Sequence, residues 1–107
     1  MATIRLFEDL EIWKKAQQLT TDIYLLTEKH PKIAKDFSFK DQIKRAVLSN
    51  SNNIAEGFEY SNNNDFISFL RFAKGSTGEV RNCLHFAQKV DFVEPADVQP
   101  MIDFTLI

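Results

Sequence analysis

Few residues of this 107-residue sequence have the types and spacing that catalysis or metal binding requires. A di-iron bundle needs Glu-x-x-His on two helices, and the sequence contains no Glu-x-x-His. Glu28 and His30 lie two positions apart, on different sides of a helix, and no acid lies three or four positions from His85. Cys83, the one cysteine, has no base near it in the sequence, which is typical of a buried thiol.

Two further motifs lack an essential part of a reactive site. Gly75-Ser76-Thr77-Gly78 does not end in the Gly-Lys-Ser/Thr of a phosphate loop. Glu56 and Glu59 flank a predicted helix end, where carboxylates usually meet solvent. We therefore predict no catalytic residue, no metal, no cofactor and no small-molecule substrate, and a protein that is not an enzyme.

A polar stripe follows the second predicted helix, beside its apolar arc. Three interpretations stay open: a solvated face, a polar network between helices or subunits, or a face that contacts a ligand or RNA. Asn50 lies in the middle of the apolar arc, where it must find hydrogen-bonding partners or cost a few kcal/mol. A buried Asn can also specify helix register. The stripe consists of Gln42, Arg45, Ser49, Asn52, Asn53 and Glu56.

Basic residues cluster at two places where a phosphate backbone could bind. The net charge of −2 gives no overall attraction to nucleic acid, but the charges are unevenly distributed. Residues 29–45 hold six basic and two acidic side chains, whereas residues 91–107 hold four acidic and no basic ones. The same clusters could be solvated faces. The candidates for nucleic-acid contact are Arg71, Lys74 and Arg81 on the third predicted helix, and Lys40, Lys44 and Arg45 on the second.

The third predicted helix has more apolar residues than one core face uses. A second apolar row, together with Phe69, makes it apolar over more than half of its circumference, which is typical of a helix buried on two sides. In a small bundle the second side implies a partner subunit. This row, the candidate oligomer interface, consists of Phe72, Cys83, Phe86 and Val90.

Apolar residues recur every three or four positions nearly throughout, which predicts helices and no strands. Pro31 ends the first helix, and Gly57 takes the position of a C-cap glycine after the second. The predicted N-caps are Asp9, Ser38 with Asp41 three positions later, and Asn62 with Asp65. The three long helices are predicted over Asp9–Lys29, Phe39–Glu56 and Asn63–Val90.

The third helix must continue through two glycines, Gly75 and Gly78, which together cost about 2 kcal/mol relative to alanine. The apolar stripe nevertheless keeps its phase from Phe66 through Ala73 to Val80. We therefore predict one long helix, whose glycines allow the close approach of a neighbour.

The segment after Val90 carries a weaker helix pattern. Pro95 suits a first helical turn, whereas Pro100 would break a helix that had already begun, so about two turns remain from Met101. Short connections make sequential helices antiparallel. The predicted fold is all-α: an antiparallel up-down four-helix bundle with a short fourth helix, formed by residues 1–107 as a single domain.

The composition is that of a soluble globular protein, with 44% hydrophobic and 26% charged residues. The beginning of the sequence has no apolar region typical of a secretory signal, and no apolar run approaches a membrane span. One cysteine excludes an internal disulfide and agrees with a reducing compartment. These features predict a cytoplasmic protein with no membrane partner.

The motifs together resemble the bacterial four-helix-bundle family of 23S rRNA intervening-sequence proteins. The resemblance covers residues 7–90, and its most specific parts are the Asn-Ile-Ala-Glu-Gly run at residues 53–57 and the Ala-x-Gly-Ser at residues 73–76. The matching positions are Phe7–Leu10, Trp13, Lys15-Ala16, Leu19, Gln42–Ala46, Ser49, Asn53–Gly57, Phe66, Phe69-Leu70, Ala73, Gly75-Ser76 and Glu79.

The resemblance implies an antiparallel four-helix bundle, a single long helix through Gly75 and assembly into a homopentamer. A related protein, the accessory variability determinant of diversity-generating retroelements, is a pentameric barrel that works with nucleic acid. No enzymatic activity attaches to the family. The polar positions of the motif serve assembly or binding, and they are Gln42, Arg45, Ser49, Asn53, Glu56, Ser76 and Glu79.

The sequence departs from the family pattern at two points. Asn50 stands where the family usually has an apolar residue. The segment that follows Val90 is shorter than the family's fourth helix, so the core is partly uncovered or a neighbouring subunit covers it.

We therefore expect a non-enzymatic homo-oligomer, pentameric by resemblance, that associates with RNA or DNA. The alternative is an oligomeric protein–protein scaffold without nucleic-acid contact, whose basic stripes pair with the acidic tail of the next subunit.

Overall fold

The computed structural model describes residues 3–106, and no strand occurs among them. The fold is an antiparallel four-helix bundle, as the sequence predicts, with a fifth, short helix in the first connection. A 3-10 turn at Phe7–Asp9 precedes the first helix. The helices are α1 at Glu11–Lys29, α2 at Pro31–Lys35, α3 at Phe37–Glu59, α4 at Asn63–Lys89 and α5 at Pro95–Phe104.

The central helix of the bundle is α3, which packs against both α1 and α4. Within residues 3–106, no Cα atom of α1 comes within 8 Å of a Cα atom of α4. The short fourth helix of the bundle, α5, contacts α1 and α4, and its buried side chains belong to only one of the two core clusters. Because α5 is about 15 Å long and the molecule measures 47 Å along its longest axis, the gap between α1 and α4 is covered over a fraction of its length.

The first helix begins two residues later than predicted. Asp9 is not its N-cap, because the 3-10 turn holds the backbone there: the amide of Leu10 donates to the carbonyl of Phe7 at 2.9 Å. The rings of Phe7 and Trp13 pack edge to face at 5.4 Å. The predicted end of α1 is confirmed, since Pro31 keeps the preceding residue extended and then starts α2.

The boundaries of α3 differ from the prediction at both ends. Asp36, rather than Ser38, is the N-cap, and its carboxylate accepts from the Phe39 amide at 3.0 Å. Gly57 is not a C-cap, because α3 continues to Glu59. A Cβ atom on Gly57 would lie 2.5 Å from Cβ of Phe69, so the glycine serves the close packing of α3 on α4. The chain turns instead at Ser61, whose φ is 60°.

The single long α4 is confirmed, and so is its cap, since the Asn62 side chain accepts from the Asp65 amide at 2.9 Å. The two glycines of α4 were predicted to allow the close approach of a neighbour, and within this chain that prediction is wrong. A Cβ atom on Gly75 or Gly78 would meet no atom within 4 Å. The buried face of α4, rather than a close neighbour at the glycines, therefore holds the helix together.

Pro100 does not break α5, contrary to the prediction, although Pro95 does occupy its first turn. A proline at this position removes one backbone donor, and Val98 and Ile102 keep the helix in place because both side chains are buried. The amide of Glu94 also donates to the Asp97 carboxylate at 3.1 Å, which caps the first turn.

The buried residues form two clusters of unequal size. The large cluster combines side chains from all five helices, including Ile23, Ile43 and Leu84 with Val98 and Ile102 of α5. The small cluster consists of Ala16, Ile54 and Ala73, with Leu10, Trp13 and Leu70 packed around it. Because α5 contributes to the large cluster alone, the small cluster is formed by α1, α3 and α4 together with Leu10, the residue before α1.

Candidate functional site

The polar stripe of α3 forms a hydrogen-bonded seam with α4. The Gln42 amide donates to the Glu79 carboxylate, and the Ser76 hydroxyl donates to the Ser49 hydroxyl at 2.9 Å. Asn53 Nδ2 donates to the carbonyl and the hydroxyl of Ser49 at 2.7 and 3.0 Å. Most polar positions of the motif therefore belong to a network between two helices of the same chain, which is one of the three interpretations that the sequence left open.

The other members of the stripe point away from the seam. Arg45 is exposed, and its Nε lies 2.8 Å from the Asp41 carboxylate. Asn52 and Glu56 are also exposed. These three side chains remain available for contacts outside the chain.

Asn50 finds the partner that its buried position requires. Its side chain is 7% exposed, and its Nδ2 donates to Oγ1 of Thr77 on α4. Thr77 Oγ1 in turn donates to the carbonyl of Ala73 at 3.0 Å. The polar atoms that Asn50 brings into the core are thus connected to the backbone of α4.

The basic residues near the beginning of α3 are engaged with their neighbours. Lys44 Nζ lies 3.3 Å from the Glu28 carboxylate and 4.5 Å from the centroid of the Tyr24 ring. Lys40 Nζ lies 5.4 Å from the centroid of the Phe37 ring. The carboxylates of Glu28 and Asp41 therefore partly neutralise the candidate cluster on α3, whereas Lys40 keeps its charge over a neutral ring.

The basic residues on α4 have no such partners. Arg71, Lys74 and Arg81 form no ion pair with any residue in the range 3–106. Lys74 and Arg81 line a groove of about 530 Å³ between α1 and α4, which Lys15 of α1 also lines. The family resemblance includes Lys15, but the sequence does not indicate it as a binding residue. Lys15 and Lys74 are far apart in the sequence, so nothing in the sequence shows that they share a surface.

The floor of the groove is mainly apolar, and the bonded pair of Asn50 and Thr77 adds two polar side chains to it. Ala16, Leu19, Ile54, Leu70 and Ala73 contribute to it, and Phe104 to Leu106 close the end nearest α5. Among the described residues, no aspartate or glutamate lines it. Gly78 also lines the groove, which explains why a Cβ atom there would meet open space.

Most of the candidate oligomer row is exposed. Phe72 is 64% exposed, Phe86 51% and Val90 39%, whereas Cys83 belongs to the large core cluster. The placement of Cys83 in the exposed row is therefore wrong, because its side chain packs inside the chain, and its interpretation as a buried thiol is confirmed. Burial raises the pKa of the Cys83 thiol, and the Glu79 carboxylate raises it further.

No three His, Cys, Asp or Glu side chains within the range 3–106 come together as a metal site would require. None of the helices in that range has the length and apolar character to cross a bilayer.

The chain is thus an all-α bundle protein whose two longest helices share a polar seam. The sequence profile described as 23S rRNA-intervening sequence protein matches residues 8–105, and the chain belongs to this family. No curated protein matches the sequence.

A solved structure has the same fold. It is a crystal structure of a protein of unknown function from the S23 ribosomal protein family of Bacteroides thetaiotaomicron VPI-5482. The TM-score is 0.81 at 20% sequence identity, and the match covers 89% of this chain and 88% of that one. The likeness concerns the fold.

Proposed function

We propose that this chain is a non-enzymatic, homo-oligomeric bundle of the bacterial cytoplasm that associates with nucleic acid. The observation that carries the proposal is the stripe of three cations on α4, Arg71, Lys74 and Arg81, which form no ion pair within residues 3–106. Lys and Arg side chains without internal partners can neutralise phosphates, which provides most of non-specific nucleic-acid affinity.

The assembly part of the proposal is based on the exposed apolar row of Phe72, Phe86 and Val90. Large apolar side chains on one helix face favour burial against another subunit. The resemblance to pentameric relatives suggests five subunits. A pentamer has five times the chain mass of 12.4 kDa.

The first experiment measures this mass by light scattering during size-exclusion chromatography, with absorbance recorded at 260 and 280 nm. We expect five times the mass of one chain, and excess absorbance at 260 nm before nuclease treatment. Phe72→Asp should lower the mass toward that of a monomer, whereas Ser68→Asp, an exposed change on the same helix, should not. A wild-type monomer would contradict the assembly proposal.

The second experiment measures binding of a fluorescein-labelled single-stranded RNA at increasing salt. Three phosphate contacts predict a slope of about −2 for log affinity against log salt. Substituting Arg71, Lys74 and Arg81 by Gln should abolish binding without changing the mass. As a matched control, Lys29, Lys35 and Lys89 are replaced by Gln, which removes the same charge elsewhere and should leave binding within about twofold.

A protein–protein scaffold is the second candidate, and the acidic residues after Val90 favour it. Asp91, Glu94, Asp97 and Asp103 are exposed and could pair with the α4 cations of a neighbouring copy. In that case, the triple Gln variant on α4 would reduce the mass of the oligomer, and no RNA would bind to the wild type.

A further inference from the structure

Within residues 3–106, no helix fills the groove between α1 and α4 along most of its length. Both helices pack on α3 but do not reach each other. The buried side chains of α5 belong to the large core cluster and not to the small one, so α5 covers one end of the gap. The groove follows α4 from Leu70 to Arg81, which spans about 16 Å at 1.5 Å per residue. This length corresponds to three turns of helix, and the groove begins where α5 ends, at Phe104 to Leu106.

The floor is suited to a helix and poorly suited to a nucleic-acid base. Ala16 and Ala73 are small, and Leu19, Ile54 and Leu70 are aliphatic, so that an apolar helix face can approach closely. The two polar side chains of the floor, Asn50 and Thr77, are hydrogen-bonded to each other. Single-stranded nucleic acid is usually held by stacking on aromatic rings, and Phe104, at one end, is the one aromatic ring in the described lining.

The charges around the groove indicate the chemistry of the occupant. Lys15 stands on the α1 side, and Lys74 and Arg81 stand on the α4 side. None of the three forms an ion pair within residues 3–106, and the described lining contains no carboxylate. A complementary helix therefore has acidic residues along both edges of its apolar face.

We propose that this groove is the docking site for an acidic amphipathic helix of a partner protein. The helix lies in line with α5, inserts an apolar face against α1, α3 and α4, and pairs its flanking carboxylates with Lys15, Lys74 and Arg81. This is recognition of a helix in a groove, with apolar anchors and charged edges. The proposal does not depend on nucleic-acid association.

The test uses a fluorescein-labelled helical peptide of about 14 residues, with Leu and Ala on one face and Glu beside it. We expect it to bind the full chain, and a peptide with Lys in place of Glu to bind at least about tenfold more weakly. Replacing Lys15, Lys74 and Arg81 by Gln should weaken binding about tenfold, because three partly exposed ion pairs are lost.

The two glycines of α4 provide a matched pair of variants. Gly78→Trp fills the groove, whereas Gly75→Trp adds the same side chain outside the groove lining, and neither Cβ would meet an atom within 4 Å. Gly78→Trp should reduce peptide affinity at least about tenfold while Gly75→Trp keeps it, with equal helical circular dichroism for both.

Three outcomes would overturn the proposal. The acidic peptide could fail to bind, or bind Gly78→Trp as well as the wild type. Gly78→Trp could turn an oligomer into a monomer in light scattering, which would assign the groove to a second copy. The triple Gln variant of Lys15, Lys74 and Arg81 could bind the acidic peptide as tightly as the wild type, which would show that these cations do not select the occupant.

Discussion

A single hydrogen bond explains how a polar residue is tolerated in the core of this bundle. Asn50 stands among buried apolar residues of α3, and the Thr77 hydroxyl of α4 accepts from its amide while donating to the Ala73 carbonyl. Removing Thr77 leaves the buried amide of Asn50 without its partner, which costs more than the bond itself contributes. Removing Asn50 deletes the same bond, although Thr77 keeps its bond to the Ala73 carbonyl.

We therefore expect Asn50→Ala to lower the free energy of unfolding by about 1–3 kcal/mol. Thr77→Val should be similarly destabilising alone. The double variant Asn50→Ala with Thr77→Val should be less destabilised than the sum of the two single changes, because neither polar group of the pair remains. Urea unfolding followed by circular dichroism at fixed protein concentration measures all of these changes.

The matched control for these Asn50 and Thr77 variants is Asn52→Ala, since Asn52 is exposed and close to Asn50 on the same helix. Its effect should stay within about 0.5 kcal/mol. Additive effects of the Asn50 and Thr77 changes would contradict a coupled pair.

At the residue scale, the sequence predicts where a side chain lies on its helix better than which side chain it contacts. The place of Asn50 on the apolar arc follows from the period of α3, but Thr77 is 27 positions away and has no distinguishing neighbour. For Cys83 the sequence does not decide even whether the side chain is buried. Its angle on α4 lies between the core face and the exposed row, and only the packing of the other helices decides that it is buried.

At the scale of elements, the close packing of α3 on α4 depends on Gly57. The nearest atoms to a Cβ placed there belong to Phe69 and Phe66 of α4, whereas Gly75 faces open space on the same helix pair. The helix propensity gain of a Gly→Ala change is about 1 kcal/mol at either position, so packing decides the sign of the effect.

Gly57→Ala should therefore be destabilising by about 1–3 kcal/mol, because Phe69 must move. Gly75→Ala should be stabilising by up to about 1 kcal/mol. Thermal unfolding at one protein concentration measures both. Equal shifts for the two variants would contradict the close contact at Gly57.

The three long helices were predictable, whereas the short α2, the start of α5 and several caps were not. The phase of the apolar stripe correctly carried α4 through two glycines, and Asn62 caps it as expected. Asp36 and Ser38 are both capping residue types, and the choice of Asp36 depends on α2, which brings the chain back to α3 earlier than an irregular connection would. Pro100 is tolerated because α5 has tertiary contacts that its sequence alone does not reveal.

At the scale of the whole molecule, the all-α bundle and the shortness of its fourth helix follow from the sequence. The groove does not, because it arises from the distance between α1 and α4 once both pack on α3. Lys15 lies on α1 whereas Lys74 and Arg81 lie on α4, with all of α2 and α3 between them in the chain, so their shared surface needs the tertiary structure.

The division of the core into two clusters means that the molecule need not unfold as one cooperative unit. The one tryptophan, Trp13, packs against the small cluster, so its emission reports local opening of that end, while far-ultraviolet circular dichroism reports all helices. We expect the fluorescence transition to occur at lower urea than the dichroism transition. Coincident transitions would show a single cooperative unit. A helix bound in the groove should bring the urea midpoints of the fluorescence and dichroism transitions closer together.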